Sequence, residues 1–307
     1  MKFTVAIPTY KRPEYLKRAV ESVLAQSFLP DELLLVSRLD DEPTNEAIQG
    51  IIAKNTGPVI IRKCHVAEPG FLPPVRKAIE SAQGDVLVLL DDDAEAHPDW
   101  LQRISVYYHD SKIGGVGGRY INYFSGILQH YPPVEIVAKL YWYGRSVGNM
   151  YCDCTFLEPI EADFLIGGNL SYRLEVLRKS LPDARLGNNV AFHWEMDVGQ
   201  QVKHHGFQIL FDPAIQVDHH TAPREIHGMR TVNYEGTYWS NYNYAYLMRK
   251  HLSPLGFAAY LIYSFLLGGS GSPGLAYVIY AIARGRPIQW RNFVLASLRG
   301  RLDGVRA

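Results

Sequence analysis

The sequence predicts an α/β fold: a mixed, mostly parallel sheet flanked by helices, with an apolar α-helical extension at the C-terminal end. Three observations lead there. Apolar runs of strand length alternate with stretches of helical spacing over roughly the first ninety residues, the pattern of successive βαβ units. The run Val86-Leu87-Val88-Leu89-Leu90 is apolar without alternation and stands between Gly84 and three consecutive acids, as a strand buried on both faces does. From Pro254 to Ala283, finally, there is no Asp, Glu, Lys or Arg.

Taken in order, Phe3 to Ile7 reads as the first strand and Pro8-Thr9-Tyr10-Lys11-Arg12 as the loop leaving it. Pro13 suits the first turn of a helix that continues through Leu16, Ala19, Val20 and Val23 at helical spacing. Leu33 to Val36 is a second strand, followed by Arg38-Leu39-Asp40-Asp41-Glu42 and a helix from Asn45 to Lys54. Val59-Ile60-Ile61 makes a third strand, and a helix opening at Pro73 leads into the Val86 strand. Residues 114–161 lack a clear period and are rich in Tyr, Trp and Gly; Tyr120, Tyr123, Tyr131, Tyr141, Trp142 and Tyr143 could stack on a sugar, although ordinary packing is the commoner use of such rings. Asp163-Phe164-Leu165-Ile166 reads as a strand running into Gly167-Gly168-Asn169, with a helix from about Arg173 to Lys179. Glu195 and Asp197 stand near the start of a further helix through Val198, Val202 and His205, where carboxylates favour the positive end of the dipole.

Composition narrows the function. The chain has 307 residues, 47% hydrophobic and 20% charged, and its 31 basic and 31 acidic side chains cancel, so nothing global calls for nucleic acid. Cys64, Cys152 and Cys154 are too few for a disulfide framework, and Cys152-Asp153-Cys154 lacks the second ligand pair of a structural zinc site. The N-terminus enters a strand at once, without the apolar core of a signal peptide, so a cytoplasmic catalytic part is expected.

The chemistry concentrates at Asp91-Asp92-Asp93. In an open α/β sheet ligands bind beyond the carboxyl ends of the strands, where these acids emerge. Adjacent carboxylates raise one another's pKa unless a cation joins them, and a hard divalent ion such as Mg²⁺ or Mn²⁺ carrying nucleotide phosphates is the natural partner. A solvated acidic turn is the plain alternative. The loops after the strands add Thr9, Tyr10 and Arg12, then Arg38 and Asp40, groups able to hold a nucleoside diphosphate. Neither a G-x-G-x-x-G turn nor a P-loop is present.

Four segments in order carry a family resemblance: Val5 to Pro13; Gly84 through Asp91-Asp92-Asp93 to Leu101; Gly167-Gly168-Asn169-Leu170-Ser171-Tyr172-Arg173; and His193-Trp194-Glu195-Met196-Asp197 with Gly206 to Ile209. Together they resemble a family 2 glycosyltransferase of the GT-A fold. That resemblance implies a domain over 1–225, with a nucleotide-binding half over 1–112 and an acceptor half over 113–225, followed by a helical region over 226–307. It implies that Pro8, Thr9, Tyr10, Arg12, Arg38, Asp40 and Arg76 bind the nucleotide-sugar donor, with Asp91 and Asp92 approaching ribose and diphosphate. Asp93 would ligate a divalent metal, with His219 completing the site ahead of His220. Gly167, Gly168, Asn169 and Trp194 would meet the acceptor, a glycan or a lipid-linked hydroxyl. Glu195 would be the catalytic base of an inverting transfer, with Asp197 the second choice, and UDP the commonest nucleotide. The turn after the second strand departs from the family's Asp-Asp-Gly-Ser-like wording, which leaves the base open.

From Tyr234 onward aromatic residues crowd ahead of Arg249-Lys250, and Gly268 to Gly274 splits the apolar stretch into two pieces shorter than the roughly 20 residues that cross a bilayer. Arginines follow. Apolar helices flanked by aromatics and arginines suit the surface of an anionic membrane, so residues 254–307 are expected to associate with one, on its inner face; a hairpin dipping into the bilayer and a soluble helical pair or dimer interface are the alternatives. The rival functions are a nucleotidyltransferase, a catalytically silent nucleotide-sugar-binding protein, and a hydrolase using the acids directly.

Overall fold

The computed structural model describes residues 1–186, 191–222, 233–269, 271–285 and 289–307. In chain order the first part comprises β1 (Phe3–Pro8), α1 (Pro13–Leu24), β2 (Glu32–Arg38), α2 (Glu42–Lys54), β3 (Ile60–Val66), α3 (Leu72–Ser81), β4 (Val86–Leu90), β5 (Ala94–Ala96) and α4 (Trp100–Tyr107). Then come the long β6 (Ile113–Phe124) and the two-residue strands β7 (Ile127–Leu128), β8 (Lys139–Leu140), β9 (Ser146–Val147) and β10 (Ile160–Glu161). The remainder is β11 (Asn169–Arg173), α5 (Leu174–Leu177), α6 (Trp194–His204), β12 (Gln208–His220), α7 (Tyr234–His251), α8 (Pro254–Ile262) with a π-helical continuation over Tyr263–Leu267, α9 (Leu275–Ala283) and α10 (Gln289–Arg306).

The main sheet runs β10-β12-β6-β11-β4-β1-β2-β3. Strands β1 to β4 are mutually parallel, as the alternation of strands and helices requires. β11 enters antiparallel between β4 and β6, and β12 lies parallel to β6, so the sheet is mixed and mostly parallel, as the sequence predicts. β4 is buried along its whole length, as a continuous apolar run should be. Each of its side chains contributes about 2 kcal/mol on leaving water. α1 buries Leu16, Ala19, Val20 and Val23, one stripe of a helix, against the same core. α2 starts three residues before the expected Asn45, because Asp41 accepts from the Thr44 amide and caps it.

Two readings need correction. Asp163 to Ile166 is not a strand; the strand follows the two glycines, at β11. Its Asn169 and Ser171 look polar in sequence but are buried and hydrogen-bonded inside the sheet, and Tyr172 is buried beside them, whereas Asp163 is held by Lys203 and Lys139. The unpatterned stretch from Gly114 opens instead with the 12-residue β6. Its glycines are what permit close packing: a Cβ on Gly118 would lie 1.9 Å from the Ile215 carbonyl oxygen of β12, and one on Gly115 would lie 2.4 Å from the ring of Tyr172.

The chain divides into two compact units. The first holds Met1–Lys139, Val147–Pro182 and Glu195–Pro223, and so the whole of the main sheet; the second holds Leu140–Ser146, Asp183–Trp194 and Arg224–Ala307. Within the second, α10 crosses α7 so closely that a Cβ on Gly300 or Gly304 would lie 2.2 Å from the carbonyl oxygens of Tyr238 and Tyr242 respectively. Ser297 bonds Asn241 across this crossing, and Tyr238 bonds Asp303.

Candidate nucleotide-sugar site

The loop after β4 places three carboxylates at the carboxyl end of the parallel strands, and the three have different surroundings. Asp92 is buried and accepts from the Thr9 hydroxyl at 2.9 Å and from Arg12 Nη1 at 2.9 Å. It ties the loop leaving β1 to the end of β4. Burial pushes its carboxyl above the usual range, against the pull of Arg12. Asp93 is also buried but is held ionised against that penalty by His219, by Arg12 and by the Ala222 amide, which donates to its Oδ2 at 3.1 Å. Asp91 is half-buried and accepts from the Tyr120 hydroxyl at 2.8 Å.

His219 stands at the end of β12, where its Nε2 lies 3.3 Å from Asp93 Oδ1. Its Nδ1 donates to Asn122 Oδ1 at 2.9 Å, which turns Nε2 to the acids. The register of β12 on β6 sets this pair, with His219 opposite Asn122. Tyr120, on the same face of β6 as Asn122, stacks on the His219 ring with centroids 4.9 Å apart. Ligand atoms of Asp91, Asp93 and His219 lie within 4.8 Å of one another. Two carboxylate oxygens and one imidazole nitrogen form a donor set suited to Mn²⁺ or Mg²⁺, so the residues present fit a divalent ion. The sequence pointed to Asp93 and His219; the fold brings Asp91 to the same place. His220 is directed elsewhere, stacked on Tyr123 and 3.4 Å from Glu95.

Along the ends of β1 and β2, the Arg38 guanidinium lies 4.5 Å above the Tyr10 ring and pairs with Asp40. Buried Asp41 accepts from the Lys11 amide and holds this turn in place. Tyr10, Arg38 and Asp40 thus form one cluster, whereas Arg12 is drawn to Asp92 and Asp93. Pro8 closes β1. Arg76 spends at least one donor on the Pro182 carbonyl.

Gly168 lies against Asp91 and Tyr120, where any side chain would collide. Three of the residues expected on the acceptor and catalytic side are buried. Asn169 is fully enclosed: Trp100 Nε1 donates to its Oδ1 at 2.8 Å, and its own amide donates to the Arg119 and Ile215 carbonyls at 3.1 and 3.2 Å. Its side chain knits β11 to its surroundings. Trp194 and Asp197 are 2% and 0% exposed. Glu195 is half-buried, and its charge reaches Tyr120 and Tyr172. Burial first, then Asp91, Asp93 and Glu195, raises the Tyr120 hydroxyl well above its ordinary value, which keeps it a donor to Asp91. Tyr120 and Asn122 are supporting residues that sequence reasoning missed in these roles. The two-residue period of a strand could have placed them on one face, but their partners across the sheet could not be read from the chain.

The family model described as glycosyl transferase family 2 matches residues 4–181. The chain belongs to that family. A glucosyl-dolichyl phosphate glucuronosyltransferase of Haloferax volcanii is 32% identical to this family 2 chain over 123 residues, covering 38% of this chain and 38% of that protein. The match thus spans under two-fifths of that relative's length. Among solved structures, the mannosyltransferase PcManGT from Pyrobaculum calidifontis, in complex with GDP-Man and Mn²⁺, superposes with a TM-score of 0.63 at 14% identity, over 98% of this chain and 87% of that one. Residues 1–349 of S. aureus TarS, in complex with UDP-GlcNAc, give 0.63 at 14% identity over 99% and 82%. At that identity the likeness speaks for the fold, which is GT-A-like.

Proposed function

We propose that this chain transfers a sugar from a nucleoside-diphosphate sugar to a hydroxyl of a glycan or lipid-linked acceptor, with inversion at the anomeric carbon. The observation that carries the reading is the convergence of Asp91, Asp93 and His219 beside the loop that holds Thr9 and Arg12, with the Glu195 charge reaching Tyr120 at the same place. The ligands that the two structural neighbours carry, GDP-Man with Mn²⁺ and UDP-GlcNAc, support it. Residues 1–225 would carry the catalysis, and the three free cysteines suit a reducing cytoplasm.

Asp91, Asp93 and His219 would hold Mn²⁺ or Mg²⁺, which supplies charge neutralisation for the departing diphosphate. Tyr10, Arg38 and Asp40 form the platform proposed for the nucleoside, where the ring and guanidinium stack and the carboxylate accepts hydrogen bonds. Asp92 and Thr9 hold the two loops together. Glu195 takes the proton of the acceptor hydroxyl as that oxygen bonds to the anomeric carbon and the bond to the diphosphate breaks. The electron pair of the broken bond leaves with the nucleoside diphosphate.

The test is nucleoside diphosphate release from UDP- and GDP-sugars with Mn²⁺, with and without glycan acceptors. Glu195→Gln should lower acceptor-dependent release by about a hundredfold or more while nucleotide affinity stays within a few-fold. Unchanged release in Glu195→Gln would remove Glu195 as the base. Equal release without any acceptor would favour the hydrolase.

A further inference from the structure

We propose that the apolar face of the α8–α9 hairpin docks onto a bilayer surface carrying anionic lipid headgroups. The inference stands independently of the transfer reaction, since it concerns only the second unit.

Leu255, Ala258, Ile262 and Leu266 follow one another at helical spacing along α8 and its π-helical continuation, and all are exposed; Leu255 and Ile262 are 74% and 63% exposed. On α9, Leu275, Ile279 and Ile282 are 57%, 59% and 69% exposed. A monomeric soluble protein rarely leaves so many large apolar side chains together in water. The hairpin is not loosely attached. A bridge between Gly268 and Pro273 closes its turn. Arg301 of α10, itself fully buried, donates to the carbonyls of Ser264, Pro273 and Ser297 and lies 4.9 Å from the centre of the Phe265 ring. A buried guanidinium satisfied by three carbonyls fixes the hairpin in the shape that exposes its leucines.

Charge decides what covers the face. From Gly236 to Leu302 the sequence holds no Asp or Glu, in a chain whose net charge is zero. Over the same stretch Arg284, Arg291 and Arg299 are exposed, and Arg284 lies 5.4 Å from the centre of the Tyr280 ring. A second copy of this chain would bring arginines against arginines, with no carboxylate in the stretch to answer them. An anionic bilayer takes both features, the headgroups meeting the arginines and the acyl boundary taking the leucines. The stacked pair Tyr277 and Trp290 suits the headgroup level. The apolar helices span Pro254–Leu267 and Leu275–Ala283, roughly 20 Å and 14 Å, against a hydrocarbon core of about 30 Å. Docking is therefore shallow. Among the described residues no helix is long and apolar enough to cross a membrane.

The test is flotation of the full chain with extruded vesicles of phosphatidylcholine, alone or with about a third phosphatidylglycerol. The wild type should float with the anionic vesicles at least about tenfold more than with neutral ones, and raising salt from about 0.1 M to about 1 M should remove most of that difference. Leu266→Glu with Ile279→Glu should abolish flotation at unchanged helicity and melting temperature, since both sites are exposed. Arg284→Glu with Arg291→Glu should lose only the preference for anionic vesicles. Failure of the wild type to bind anionic vesicles, or binding that neither double variant changes, would overturn the inference. A concentration-dependent dimer without vesicle binding would assign the face to a second copy and overturn it equally.

Discussion

A Cβ on Gly168 would lie 1.8 Å from the hydroxyl oxygen of Tyr120 and 2.3 Å from Asp91 Cγ, so the glycine is the space in which these two side chains meet. Gly168→Ala must displace Tyr120, Asp91 or both. Overpacking of this kind costs about 1–3 kcal/mol. Because Asp91 is one of the three candidate ligands, the loss should also appear in Mn²⁺ affinity. Urea unfolding and metal titration of the same variant check both, and an alanine accepted without change in either would mean that the loop yields freely.

Tyr120→Phe separates the two roles of that ring. The stack on His219 is kept and only the bond to Asp91 is lost. A metal affinity about ten- to a hundredfold weaker is expected, as for other groups that orient a ligand, with about 1 kcal/mol of stability lost. Asn122→Leu should weaken metal binding comparably, since it releases the His219 tautomer.

Asn169→Leu separates a packing role for Asn169 from a role toward the acceptor. The change strands the Trp100 indole N–H and frees two backbone carbonyls in the core, so about 2–4 kcal/mol should be lost. Nucleotide affinity of the folded fraction should be unchanged, by titration under conditions where the variant is folded. A selective loss of acceptor use at full stability would restore Asn169 as an acceptor residue.

His193 should make stability fall in acid. Burial, partly opposed by Ser240, lowers its pKa to about 4 from an ordinary 6.5. The folded state therefore holds the neutral ring, while the unfolded chain takes up a proton below about pH 6.5. The contribution is fully present above that pH and is lost as pH falls from about 6.5 towards about 4, a span worth up to about 3 kcal/mol. His193 has φ of +68°, which asparagine tolerates best among side chains of similar polarity. His193→Asn should flatten the slope of unfolding free energy over that window relative to the wild type, and an unchanged slope would assign it to other groups.

How far the chain could be read from its sequence depended on whether a signal was local. β4 was legible because five apolar residues end in three acids, and α1 because Pro13 and a stripe of buried residues mark it. β11 was not, because a strand of Asn-Leu-Ser-Tyr-Arg looks solvent-facing until Ser171 is seen accepting from Tyr108 and donating to Val116 in the core. The three aspartates were legible as a group, but not their division of labour. That division depends on Arg12, Tyr120 and His219, which arrive from three distant places in the chain. Trp194 and Asp197 took their expected roles from the family resemblance alone; the burial of both in the first turn of α6 is a tertiary fact.

The most direct test of the account is calorimetric titration of UDP and GDP into the purified chain, with Mn²⁺ and again with EDTA, on the wild type and on Asp93→Ala. The account predicts that one nucleotide binds with Mn²⁺, that EDTA weakens it by about tenfold or more, and that Asp93→Ala loses the metal-dependent part while remaining folded. Absence of binding by either nucleotide to a folded wild-type chain, or binding indifferent to both metal and Asp93, would contradict it.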